Sequence, residues 1–313
     1  MPRAANIRVW TCGVGGSLVQ QTPVACEGIA IRSAGGAGAR RRRMVSADAF
    51  HFAAPPVWEV ALSAMTSGLP LYDALTLRDV HDLFRDRYPV VEKQPAPIML
   101  EPFPKSGDGM VPTFRVHGPD LPTRWWFKAA DDADLLQIQE DCVARNWRRR
   151  ELPPAEVKAY PGFDRLLSDF REIVETISAF QARSGGSPSE PVVCELVYQN
   201  MIPLGTTGGQ TLPFREALKI IRLEPPTSVA ALQASWLEKI EDDGDFELHI
   251  RLVMGGVALS PTETPTPMAK LDFAARRAVS NWAQVYEFFT RAHAKMRRRL
   301  IELTTEDARA IWG

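Results

Sequence analysis

The sequence predicts an α+β fold in which a mostly antiparallel sheet is backed by two long helices. Three observations predict it. Several segments alternate apolar and polar residues with the period of a half-covered strand; the cleanest sets Phe246, Leu248, Ile250, Leu252 and Met254 against Glu247, His249 and Arg251. Two longer segments repeat apolar residues at three- and four-residue steps, the mark of a helix with one buried face. These are Phe163, Leu166, Leu167, Phe170, Ile173, Val174, Ile177 and Phe180, and later Trp282, Val285, Phe289, Met296, Leu300 and Leu303. Finally, strand, short helix, three or four strands and long helix follow one another twice. The chain therefore reads as duplicated β-α-β(3–4)-α halves, residues 55–183 and 190–313.

Taken in order, residues 1–44 are rich in Gly, Ala and Arg, have no apolar period and end in Arg40, Arg41, Arg42 and Arg43. Such a segment buries too little apolar surface to offset its ordering entropy. A disordered tail, or a true start at Met44, is the expectation. Structure begins after Pro55-Pro56 with a strand over 57–62. Thr76 is placed to cap a short helix with apolar face Leu77, Val80 and Phe84, and Tyr88-Pro89 ends it, because the residue before proline avoids the helical region. Residues 101–112 read as a loop. Strands are expected over 113–117, 124–129, 135–139 and 142–148, with Asp131-Asp132 as a turn. Pro161 fits the first turn of the first long helix, and residues 184–189 read as a hinge.

In the second half, Val192 to Leu196 echoes Pro56 to Val60, with Glu195 at the step of Glu59. A short helix is expected over 214–221. Residues 229–240 and 245–254 form a hairpin across Asp242-Asp243-Gly244. A strand over 268–275 precedes the second long helix. Two helices on one sheet face leave the other face to solvent. This order of elements is similar to the saddle of TATA-box-binding-protein-like folds.

The chain of 313 residues is 45% hydrophobic, 24% charged and carries a net charge of −1. No global basic field draws it to nucleic acid or anionic lipid. Its four cysteines form no C-x-x-C pair, so zinc-ribbon and thioredoxin chemistry have no support, and buried free thiols are expected. No apolar run approaches the ~18–20 residues of a membrane helix, and residues 1–43 do not make a signal peptide. The expectation is a cytoplasmic protein with no membrane partner and no cofactor.

The segments Pro55-Pro56-Val57-Trp58-Glu59-Val60, Phe84-Arg85-Asp86-Arg87-Tyr88-Pro89, Leu136-Gln137-Ile138-Gln139 with Asn146-Trp147-Arg148, Tyr160-Pro161-Gly162-Phe163, and Leu303-Thr304-Thr305 with Ile311-Trp312-Gly313 together resemble a sporadically distributed bacterial protein family of similar length. The resemblance runs from about Pro55 to Gly313. That family has no established activity, so it implies no catalytic residues; its distribution suits a bacterial accessory system.

The candidate binding residues lie on strands. Gln137 and Gln139 are expected on one face, opposite Leu136 and Ile138, and Asn146 and Arg148 share the face opposite Trp147. Amides with a guanidinium recognise a planar polar ligand or a peptide backbone, although any half-wet sheet alternates in this way. Glu247, His249 and Arg251 also project together; a Glu/His pair can do acid–base work, but no nucleophile accompanies it. Glu59 and Glu195 could be paired carboxylates or could hold arginines. His81 reads as a packed histidine, while His117 and His293 have no partner at metal-ligand spacing. The Gly-rich stretches 13–17 and 205–209 lack dinucleotide or phosphate-loop spacing.

The function expected is a non-enzymatic binding or interaction protein. It would present the polar sheet face to another protein or a small polar ligand. The second reading is nucleic-acid binding through Arg291, Lys295, Arg297, Arg298 and Arg299 on the last helix, with Arg145 and Arg148 to Arg150. A hydrolase is third. Oligomeric state is not legible.

Overall fold

The structure, a computed structural model, describes residues 52, 54–67, 69, 74–95, 123–149, 159–207, 210–212, 218–219, 232–240, 246–257, 266–310 and 312. The fold is α+β. The first strands and helices are β1 (Val57–Thr66), α1 (Ala74–Asp82), β2 (Val90–Pro95), β3 (Thr123–Lys128), β4 (Asp134–Ile138), β5 (Cys142–Arg148) and α2 (Phe163–Arg183). There follow β6 (Pro191–Pro203), β7 (Gly205–Thr207), β8 (Gln210–Leu212), β9 (Leu232–Ile240), β10 (Phe246–Val257), β11 (Thr266–Ala278), α3 (Trp282–Leu303) and α4 (Glu306–Ala310).

Nine strands make one open sheet in the order β2-β3-β4-β5-β1-β6-β11-β10-β9, and β7-β8 form a separate small hairpin. All neighbours in the large sheet run antiparallel. The long strands β1 and β6 lie at its centre, with Leu62 opposite Leu196.

The helices pack on one face. α2 lies against β1 and β5, and α3 lies against β6 and β11. On the same side His81 of α1 meets the Phe127 ring of β3 edge-on at 5.0 Å. Alternation along the strands makes this possible: Val60, Leu62, Ala64, Leu196, Leu271 and Phe273 point under the helices and are buried, while their sequence neighbours are half-exposed. Phe170 of α2 and Phe289 of α3 meet edge-to-face at 5.4 Å, and both are fully buried. Each such side chain contributes roughly 1.5–3 kcal/mol through removal from water.

Local chemistry sets the boundaries, and several differ from the sequence expectation. Thr76 lies inside α1 rather than capping it. α2 starts one turn position later than Pro161 suggests, because Gly162 is the N-cap at φ 88°, a left-handed conformation that glycine adopts without steric cost. Residues 184–189, read as a hinge, close α2 and lead into β6. Gly185, at φ 76°, terminates α2; Gly186 N–H donates to Gln181 O at 2.9 Å, and the buried Ser189 is held by the Gln181 side chain. β2 has no counterpart in the sequence expectation.

The 1–44 segment, the 101–112 loop, the 113–117 strand, His117 and the 242–244 turn lie outside the described residues, as does most of the expected 214–221 helix. Within the latter, Leu218 makes a bridge to Thr304. Among the described residues, no helix is long and apolar enough to cross a membrane.

Candidate functional site

No described helix packs on the second face of the sheet, and its side chains follow a regular plan. Cross-strand register puts Asn146, Ala61, Val197, Ala274 and His249 in one row across β5, β1, β6, β11 and β10. On one side runs the row Arg148, Glu59, Gln199, Asp272 and Arg251; on the other runs Ala144, Ser63, Glu195, Arg276 and Glu247. A strip of mostly small side chains thus crosses the central strands between two charged rows.

In the first half of the sheet a hydrogen-bonded chain organises this face. Gln137 Oε1 accepts from Arg124 Nη1 at 2.9 Å and from Trp126 Nε1 at 3.1 Å. Its Nε2 donates to Asn146 Oδ1 at 2.6 Å, and Asn146 Nδ2 donates to Glu59 Oε1 at 2.8 Å. The chain spans β3, β4, β5 and β1. It orients both amides, since each oxygen and nitrogen is claimed by a neighbour of the opposite kind. The Arg124 and Arg148 guanidiniums lie 5.0 and 5.2 Å from the Trp126 ring centroid.

The β3–β4 turn fixes Arg148. Asp131 Oδ1 accepts from Ala133 N–H at 3.1 Å, and Asp132 adopts φ 54°, a left-handed conformation that aspartate tolerates in turns. Asp132 Oδ1 then accepts from Arg148 Nη2 at 2.8 Å and lies 3.5 Å from Lys128 Nζ. Lys128 is also paired with Glu92.

Gln139 is not part of this hydrogen-bonded chain, although its partner Cys142 lies on the same face of β5 as Ala144 and Asn146. β4 ends at Ile138, so Gln139 sits in the β4–β5 turn; its N–H donates to Cys142 O at 2.8 Å and its side chain bonds the Cys142 thiol. The sequence expectation extended the strand one residue too far.

In the second half, Arg276 Nη2 pairs with Glu195 Oε2 at 2.7 Å. Glu247 and Arg251 stand directly opposite Arg276 and Asp272. Asp272 lies 3.4 Å from Lys270, and burial raises its carboxyl above the ordinary range. Burial, reinforced by Arg251, lowers the pKa of His249, so the ring is neutral at pH 7. Glu59 and Glu195 both face this side, but they are offset by four residues along β1 and β6, about 13 Å at strand rise. They are not a carboxylate pair.

Other candidates are spent on the fold. Arg145 is 1% exposed and points under α2, where it pairs with Asp134 and, at 3.2 Å, with Asp169. It cannot contact nucleic acid, as the second reading required. Asp169 also takes Arg87, and Arg165 at 3.0 Å. On α3, Arg299 is held by Glu238 and Glu302, and Arg291 by Glu287 at 2.7 Å. His293 stacks on Phe163 at 4.1 Å, and its Nδ1 lies 2.9 Å from Tyr198 OH, which in turn contacts Tyr160 OH at 3.0 Å. Sequence reasoning missed this trio, although His293 continues the apolar stripe of Phe289 and Met296. Burial pushes the Cys142 and Cys194 thiols up to about 12, so both stay protonated and are poor nucleophiles. Among the described residues, no group of three His, Cys, Asp or Glu side chains could hold a metal ion.

A cleft of about 110 Å³ on the helix side, bordered by Phe84, Arg87, Tyr88, Glu172 and Ile173, is small beside the several hundred Å³ of a typical ligand pocket. Comparisons with protein-family models, with curated proteins and with solved structures find no match.

Proposed function

We propose that this chain is a binding protein that presents to a protein partner the sheet face on which no described helix packs. The observation that carries the reading is the chain from Arg124 and Trp126 through Gln137 and Asn146 to Glu59. It fixes donors and acceptors on the face away from the described helices, which is what pre-organised recognition requires. The strip of Asn146, Ala61, Val197, Ala274 and His249 between charged rows gives an extended segment room to lie across the strands. In this reading Gln137, Arg148, Glu247, His249 and Arg251 line the face, Asn146 is buried beneath it and orients its neighbours, and the setting is a bacterial accessory system in the cytoplasm.

We also infer a duplicated, saddle-like architecture, with halves 55–183 and 190–313. Each half opens with a central strand, β1 or β6, and closes with a strand beside it, β5 or β11, followed by a long helix. The register supports this: Glu59 faces Arg148, and Glu195 faces Arg276.

The test is photo-crosslinking. A photoreactive residue at Ala274, on the open face, is expected to capture the physiological partner, while one at Arg298, on the helix layer, is not. Capture from Arg298 alone would sink the reading.

A further inference from the structure

We infer that Arg124 is the anchor of the open sheet face for a carboxylate carried by an acidic segment of a protein partner. The inference rests on the reading of that face as the binding surface.

Arg124 differs from the other cations around it. Lys128 and Arg148, which share its face at this end of the sheet, each have a carboxylate partner. Arg124 has none among the described residues. Its one hydrogen bond there, from Nη1, goes to the neutral Gln137 oxygen, and its Nε is buried without a partner. A guanidinium carries five N–H donors, so most of its capacity is unspent. Burial lowers its pKa, and Cys142 and then the Glu59 carboxylate offset this only in part. An incoming anion would therefore be stabilised by a charge already held out of bulk water.

The neighbours fix the guanidinium. Gln137 holds one nitrogen, and the Trp126 ring lies 5.0 Å away. A planar fork held in this way matches a carboxylate in a two-bond geometry. A phosphate suits the site less well. A dianion calls for a second cation, but Arg148 is committed to Asp132, and Glu59 stands at the other end of the hydrogen-bonded chain. Nor is Trp126 open for stacking by a base, since two guanidiniums already flank its ring. The site lies on a sheet face rather than in a cavity, so a small free acid would stay largely hydrated. An acidic side chain on an extended segment gains further contacts along Ala61, Val197 and Ala274.

The experiment uses the full chain and fluorescein-labelled hexaglutamate, followed by fluorescence anisotropy at low salt, with a six-nucleotide oligothymidylate as competitor. Saturable hexaglutamate binding is expected, weakened about tenfold or more in Arg124→Gln and less in Arg124→Lys, which keeps the charge and loses the fork. Thermal melts of both variants are expected to match the parent. Absent binding by the parent, or equal binding by Arg124→Gln, overturns the assignment. Tighter binding of oligothymidylate that is lost in Arg124→Gln also overturns it, in favour of phosphate. Binding that survives Arg124→Gln but falls in Arg251→Glu sinks the Arg124 anchor and leaves the face reading standing. Binding that falls only in Arg298→Gln sinks both.

Discussion

The Tyr198 hydroxyl lies 2.9 Å from Nδ1 of His293, joining the central strand β6 to α3 beneath the sheet. Phe163 of α2 stacks on the same imidazole, so this contact ties three elements together. With Nδ1 unprotonated, Tyr198 donates to it and accepts from Tyr160.

That arrangement makes stability depend on pH. Burial, with Arg297 nearby, pushes His293 down to about 4, against about 6.5 for a free imidazole. The folded state thus takes up a proton less readily than the unfolded chain. The stabilisation is present above pH 6.5 and is lost as pH falls toward 4. Urea unfolding should show a decline on the order of 1–2 kcal/mol between pH 6.5 and 5, and His293→Asn should flatten it. His249, also lowered, adds a smaller slope of the same sign that both proteins share.

Asp169 compensates Arg145 in the covered layer, where the two side chains are 3% and 1% exposed. Asp169→Ala should cost roughly 3–5 kcal/mol in denaturant unfolding, because a buried guanidinium is left short of its counter-charge. A cost near zero would show that Asp134 alone suffices.

Phe170 is fully buried between α2 and α3, with Phe289 at 5.4 Å and Trp282 at 6.4 Å. Phe170→Ala should cost roughly 3–5 kcal/mol by the loss of transfer energy and the cavity left behind. Calorimetry should show an unchanged fold with a lower melting point.

On the open face, Gln137→Ala should destabilise by about 1–3 kcal/mol, because it strips partners from the buried Asn146 amide and from Trp126. The Trp126 indole N–H resonance should shift at the same time. Gln139→Ala, in the turn, should leave that resonance in place.

The arginines of α3 give a contrasting expectation. Arg299 is spent on Glu238 and Glu302, so Arg299→Ala should loosen α3 against β9 and leave the salt dependence of nucleic-acid binding unchanged. A flatter salt slope in a gel-shift titration would revive the nucleic-acid reading.

Local patterning determined much of this by itself. The period of two in β10 and the three-to-four period of α2 and α3 are properties of short segments, so the elements and their buried faces were legible without neighbours. The α+β class and the one-sided layering followed from them. Asn146 and Arg148 fell on the face opposite Trp147 for the same reason. Tertiary structure decided what registers and distances control. The sequence did not place β1 beside β6, or Gln137 between Arg124 and Asn146, because pairing across 9 to 132 residues depends on which strands meet. It also left Arg145 and Arg148 looking alike. They are three residues apart on one strand and so face opposite sides. One is buried against Asp169; the other is held at the edge of the open face by Asp132. His293 and Tyr198, 95 residues apart, meet only because α3 folds back under β6. Local period assigns a side chain to a face, but only the packed chain supplies what that face meets.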